Sequence, residues 1–136
     1  MQKSEDKKEL SPKQKKLAQK APPFNKITGA DLEAAITPKT KLLMFSTPCN
    51  PTGSVYSKEE LKDLARVLAK YPQIVAMSDE IYEHINFIGK HESLAQFEEI
   101  YDQVVTVNGV SKAWAMTGWR LGYIGAPKAI AQACDK

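Results

Sequence analysis

The chain has 136 residues, 43% of them hydrophobic and 26% charged, with a formal net charge of +3. This is an ordinary soluble composition, long enough for one domain with a sizeable core, and no apolar run in it is long enough to span a membrane. The N-terminus has no signal-peptide apolar core, and its lysines, interrupted by Glu5, Asp6 and Glu9 and without arginine, argue against an organellar transit peptide.

Residues 1–23 hold seven lysines against three acids, which leaves the remaining 113 residues at net −1. With Phe24 as its one aromatic neighbour and no arginine, this leader reads as a solvated tail ending at Ala21-Pro22-Pro23 rather than a nucleic-acid-binding arm. A short helix over Ser11–Lys20, with Pro12 in its first turn, is compatible with it. Thr28 to Asp31, followed by Leu32, Ala35 and Ile36, predicts a capped helix that stops before Pro38. Lys41–Ser46 predicts a buried strand. Ser57 with Glu60 is a capping box opening a helix to about Lys70, with Leu61, Leu64, Ala65 and Leu68 on one face. Ile74–Ser78 and Val104–Val107 predict further strands, Leu121–Ala126 a fourth, and Pro127–Ala133 a last helix.

Strands alternating with helices predict an α/β fold, a mostly parallel sheet with flanking helices on both faces. Ligands of such sheets bind beyond the carboxyl ends of the strands. Candidate chemistry falls there three times: Asn50-Pro51-Thr52-Gly53 follows the first strand, Asp79-Glu80-Ile81-Tyr82 ends the second, and Ser111-Lys112 follows the third. Pro48 and Pro51 stiffen the first loop, and a residue before proline is pushed to extended geometry, which fixes where Asn50 points. Its amide can donate to a phenolate or a carboxylate. Asp79 leaves an apolar strand, where a carboxylate is costly unless paired with a cation such as a protonated pyridine nitrogen. Tyr82 can donate to a ring hydroxyl. Read alone, the tetrapeptide is also an ordinary turn, Asp79 a cap or solvated strand end, and Tyr82 a half-buried aromatic.

From Ser111 to Tyr123, one lysine and one arginine stand amid small, apolar and aromatic residues. An amine can hold a carbonyl as a Schiff base, and a guanidinium fork suits a phosphate dianion. Pyridoxal phosphate carries an aldehyde and a phosphate on one ring, so Lys112 with Arg120 suggests that cofactor. Trp114, Met116 and Trp119 between them argue against two unrelated surface cations. Once released by substrate, Lys112 is also the natural base for proton transfer.

Gly109-Val110-Ser111-Lys112 continuing to Gly118-Trp119-Arg120-Leu121-Gly122 resembles the lysine-attachment signature of class I aminotransferases, the fold-type I pyridoxal-phosphate enzymes. The Asn50 and Asp79 motifs resemble that family's other two markers, in its order. Ala115-Met116-Thr117-Gly118-Trp119-Arg120 is most similar to the bacterial aspartate aminotransferase branch. The resemblance covers about Phe24 to Lys136, so residues 24–136 are expected to be a partial cofactor-binding large domain. It implies that Lys112 forms the internal aldimine and Asp79 pairs with the pyridinium. Tyr82 and Asn50 would bond the ring oxygen, Asn50 would also approach the substrate carboxylate, and Arg120 would hold the phosphate. It further implies a cis Asn50–Pro51 bond. Many members place a phosphate-binding serine where this chain has Gly109, and Ser111 is the candidate to replace it.

The implied reaction moves an amino group between an amino acid, aspartate as the best guess, and a 2-oxo acid such as 2-oxoglutarate. The family is homodimeric, and a cytoplasmic location is expected, with no nucleic-acid or membrane partner. The early glycine-rich phosphate loop, the ring-stacking aromatic and the C-terminal small domain have no counterpart here, which implies a truncated enzyme. A lyase or synthase on the same scaffold and a non-catalytic remnant or binding module are the alternatives. Elsewhere the readings are plain. Glu80, Glu83 and His84 suggest a metal site that no second cluster completes, so no metal is expected. His91, in a polar loop, is expected to be solvated. Cys49 and Cys134, the two cysteines, fit neither a metal site nor a disulfide framework, and Cys49 reads as a small loop-filling residue.

Overall fold

In the computed structural model, which describes residues 27–135, helix formation begins where its caps predict. The expected leader over 1–23 and the helix within it lie outside the described residues. Helix α1, Gly29–Ala35, opens on a reciprocal cap: Asp31 N donates to Thr28 Oγ1 at 3.3 Å, and Thr28 N donates to Asp31 Oδ2 at 3.0 Å. The extended Ile36 ends it, two residues before Pro38. Helix α2, Lys58–Leu68, opens the same way, with Glu60 N to Ser57 Oγ at 3.2 Å and Ser57 N to Glu60 Oε2 at 2.8 Å. It ends two residues before Lys70, because Lys70 N and Tyr71 N turn to Val67 O and Leu68 O and tighten the last turn. A methyl group on Gly29 would lie 2.9 Å from Asp63 O, so glycine lets α1 cross α2 closely.

Four strands form one sheet in the order β1-β2-β3-β4: β1 Leu42–Ser46, β2 Val75–Asp79, β3 Val104–Gly109 and β4 Gly122–Gly125. β1, β2 and β3 are parallel, and β4 returns antiparallel to β3. The fold is therefore α/β with a mostly parallel sheet, as expected. Leu43, Ala76 and Val104 share one face through the strand register. Onto that face pack Leu32 of α1 and Leu61, Leu64, Ala65 and Leu68 of α2.

The core has a contributor that apolar patterning did not reveal. Between β2 and β3 run two 3₁₀ helices, Leu94–Gln96 and Glu98–Gln103. Leu94, Phe97 and Ile100 recur every three residues, the period of a 3₁₀ turn, and all three are buried in the same cluster. A third 3₁₀ turn, Thr117–Trp119, precedes β4, and helix α3, Lys128–Cys134, closes the described chain.

Two expectations are corrected. The described helices and turns of the core cluster lie on one face of the sheet, not both. Among the described strands β1 lies at the edge of the sheet rather than buried within it, and Leu42 and Met44 on the other face are 49% and 61% exposed. An unbroken apolar run does not distinguish a central strand from an edge strand, because both alternate their side chains between faces in the same way.

Candidate active site

The three parallel strands deliver their last residues to one place. Ser46 of β1, Asp79 of β2 and Val107 of β3 are cross-strand neighbours at the carboxyl ends, on the face away from the core cluster. They floor an open cleft of about 460 Å³ whose walls hold Asn50, Tyr82, Ser111, Lys112 and Arg120. All six residues expected to carry chemistry thus line one cavity. Ser46 and Thr117 line it as well and were not anticipated. The signal for Ser46 was its place as the last polar residue of a strand that ends level with Asp79.

The loop after β1 is built by its own turn chemistry. Gly53 adopts φ +69°, a left-handed conformation that glycine enters without strain. Its N–H donates to Cys49 O at 2.7 Å, and Cys49 N donates to Ser54 O at 3.0 Å. The Asn50–Pro51 peptide is cis, as expected, and so is Thr47–Pro48, which was not. The loop presents Asn50 Nδ2 to Tyr82 Oη at 2.9 Å. Because the tyrosine oxygen accepts this bond, its own hydrogen stays available to donate into the cleft. Burial pushes the Cys49 thiol up, but hydrogen bonds involving Ser46, Thr52 and Ser54 outweigh that push and hold it below its ordinary value.

Asp79 Oδ1 accepts from Ile81 N at 3.1 Å, and its other oxygen has no hydrogen-bond partner among the described residues. That oxygen suits a cation. Beyond β3, residues 110–121 close on themselves: Met116 N reaches Val110 O at 3.4 Å, and Thr117 Oγ1 donates to Ser111 O at 3.0 Å. Ala115 and Arg120 both sit at φ 54°, a region few non-glycine residues adopt, and this curls the segment back to β4. Lys112 Nζ lies 5.9 Å from the centroid of the Tyr82 ring, and Arg120 donates to Thr117 O at 3.1 Å. The aromatics here do not bury the loop: Trp114 and Trp119 are 52% and 67% exposed. Trp114 packs edge-on against His84, with ring centroids 4.9 Å apart, and so joins the lysine loop to the Asp79 turn.

Gly109 shows why serine is absent at that position. A Cβ there would stand 2.8 Å from Leu121 O and 3.2 Å from Gly122 Cα, both backbone atoms of the adjoining strand segment. Gly109→Ala is expected to destabilise the fold by about 1–3 kcal/mol through overpacking, measured as a lower urea midpoint. An unchanged midpoint would show that β4 can shift aside.

Two expectations about the neighbouring polar groups change. His91 is not solvated. Its side chain is 14% exposed, and Nε2 lies 2.8 Å from Oε2 of the buried Glu80. It is His91, not His84, that gathers with Glu80 and Glu83, their ligand atoms within 4.8 Å of one another. Both Glu80 oxygens are already engaged, by His91 and Ser93.

No helix of the described residues is long and apolar enough to cross a membrane. Residues 15–136 match the family model for aminotransferase class I and II. A probable aspartate/prephenate aminotransferase of Rickettsia bellii is 53% identical over 110 residues, which are 79% of this chain and 28% of that protein. A bifunctional aspartate aminotransferase and glutamate/aspartate-prephenate aminotransferase of Petunia hybrida is 49% identical over 106 residues, 77% of this chain and 22% of that protein. Among solved structures, the aspartate aminotransferase of Rhizobium meliloti superposes with a TM-score of 0.77 at 42% identity, over 82% of this chain and 28% of that one. That of Thermus thermophilus with maleate gives 0.72 at 45%, over 77% and 27%. The chain spans between about a fifth and three tenths of the length of these relatives, and it belongs to the class I and II aminotransferases.

Proposed function

We propose that this chain supplies the pyridoxal-phosphate-binding part of an aspartate-type aminotransferase. The observation that carries the reading is the meeting of an amine, a free carboxylate oxygen, an available phenol hydrogen and a guanidinium in one cleft. Those four groups match the aldehyde, ring nitrogen, ring oxygen and phosphate of the cofactor in chemical kind. When bound, pyridoxal phosphate supplies the electron sink that lets an amino group pass between an amino acid and a 2-oxo acid.

The chain's own residues then have distinct tasks. Arg120 binds the phosphate as a fixed planar fork, with Ser111 beside it as a second donor. Asp79 holds a proton on the ring nitrogen by charge pairing. Tyr82 donates to the ring oxygen, and Asn50 orients Tyr82 and faces the substrate carboxylate. Lys112 Nζ holds the aldehyde end and carries the proton to and from the substrate Cα. Aspartate is the preferred donor and 2-oxoglutarate the acceptor, in a cytoplasmic homodimer. Relatives whose names include prephenate make that acceptor the next to assay. Because the chain spans 28% of the Rickettsia bellii relative, cofactor capture rather than turnover is the activity assigned to it alone.

The test is capture. The purified chain is mixed with pyridoxal phosphate, its near-ultraviolet and visible spectrum recorded, the complex reduced with borohydride, and the adduct located by peptide mass spectrometry. One stoichiometric adduct on Lys112 is expected. Scattered labelling of the N-terminal lysines with no defined absorption band would overturn the reading. If turnover appears and proceeds without a 2-oxo acid, the reaction is a lyase's instead.

A further inference from the structure

The residue after Asp79 has no role in the cleft, yet it is among the most deeply buried charges of the described chain. Glu80 is 2% exposed. Both its carboxylate oxygens are held: Oε1 accepts from Ser93 Oγ at 2.8 Å, and Oε2 pairs with His91 Nε2 at 2.8 Å. Its backbone is held too, with its N–H donating to Val107 O at 2.9 Å and its carbonyl accepting from Glu83 N at 2.8 Å. Ser93 accepts in turn from Ala95 N at 3.2 Å and so caps the 3₁₀ helix whose Leu94 is fully buried. The turn that follows β2 is therefore tied, through one side chain, to the hydrophobic core.

An apolar residue would fill this position without the cost of desolvating a carboxylate. What an apolar residue does not supply is direction. Two charge-assisted hydrogen bonds fix a carboxylate in angle as well as distance, and the backbone of Glu80 is continuous with both Asp79 and Ile81. Ile81 N–H is the donor that orients Asp79 Oδ1. A shift of Glu80 would rotate that donor and carry Tyr82 away from Asn50.

We propose that Glu80, His91 and Ser93 form a buried positioning triad that sets the turn carrying Asp79 and Tyr82. Its value to catalysis rests on the function proposed above; its existence as a clamp does not. The imidazole is the member whose ordinary titration lies nearest neutral pH. The hydrogen bond to Glu80 raises its proton affinity above the ordinary histidine value, against the opposing effect of burial, and the charges of Glu80, Glu83 and Glu92 add to the rise. The clamp is then at full strength where His91 is charged, and it weakens as pH rises through the raised value.

The test uses the full chain and two readouts that need no cofactor: the titration of His91 by proton NMR and the hydrogen-exchange protection of the Ile81 amide. His91 is expected to titrate above about 6.5, and Glu80→Gln to bring it back towards that value. His91→Ala is expected to lower Ile81 protection about tenfold or more and to weaken pyridoxal-phosphate capture by a similar factor. His91→Gln, whose amide can donate where Nε2 does, is expected to recover most of both. Unchanged Ile81 protection in a folded His91→Ala chain, or a His91 titration indifferent to Glu80→Gln, overturns the proposal. Should His91→Ala fail to fold, Ser93→Ala removes one donor, leaves the ion pair, and is read by the same protection. If the unaltered chain captures no pyridoxal phosphate, the proposed function fails, and Ile81 protection with the His91 titration still decides the triad.

Discussion

Lys112→Ala is expected to abolish the reduced pyridoxal-phosphate adduct while leaving the chain folded. Lys112 is exposed and lies on the turn after β3, outside the core cluster, so its removal is expected to change stability by no more than about 0.5 kcal/mol. It is the one amine among the residues lining the cleft. Arg120 cannot substitute, because a guanidinium stays protonated and is a poor nucleophile. Lys112→Arg separates charge from reactivity: the cation over Tyr82 is kept, and the adduct is still expected to vanish. Asp79→Asn probes the other end of the ring. Asparagine retains an acceptor for Ile81 N but loses the charge, and charge-assisted hydrogen bonds are worth about 1.5–3 kcal/mol, roughly ten- to a hundredfold in affinity. A spectrophotometric titration of the cofactor measures this. A stoichiometric adduct that survives Lys112→Ala would remove Lys112 from its role.

The largest loss of stability is expected from Leu61→Ala. Leu61 is fully buried on α2, in the cluster that joins both helices to the sheet. Emptying such a site costs about 2–5 kcal/mol in lost burial and residual cavity. Domains are typically stable by about 5–15 kcal/mol, so the variant would forfeit much of its margin. Met44→Ala makes the comparison sharp. Methionine is as large, but Met44 is 61% exposed on the opposite face, and its loss is expected to cost at most about 0.5 kcal/mol. Urea unfolding followed by circular dichroism reads both. If the two variants lose equal stability, the core is not one-sided as described.

The caps and strands were legible because their causes are local. Thr28 with Asp31 and Ser57 with Glu60 announce helix starts within four residues, and glycine and proline bound the strands. The candidate site was legible for a different reason: motifs spaced along the chain all fall at strand ends, and a parallel sheet gathers such ends together. What escaped were matters of neighbourhood. Whether β1 lies at an edge depends on which strands flank it, and its own residues carry no mark of that. The partnership of Glu80 with His91 joins positions eleven apart across an irregular loop. The 3₁₀ helices escaped because a three-residue period is easily taken for scattered apolar residues in a polar stretch.

Asp79 and Glu80 are adjacent, chemically alike and committed to opposite sides of the sheet. One faces the cleft, and the other is sealed into the core side by His91 and Ser93. A single-residue deletion within β2 would therefore do more than shorten a strand. It would exchange the two carboxylates, sending the longer into the cleft and leaving the shorter unable to reach its buried partners. Loss of two residues would keep each acid on its proper side. The reading frame of this strand thus tolerates even-numbered changes better than odd ones, and cleft and core would fail together.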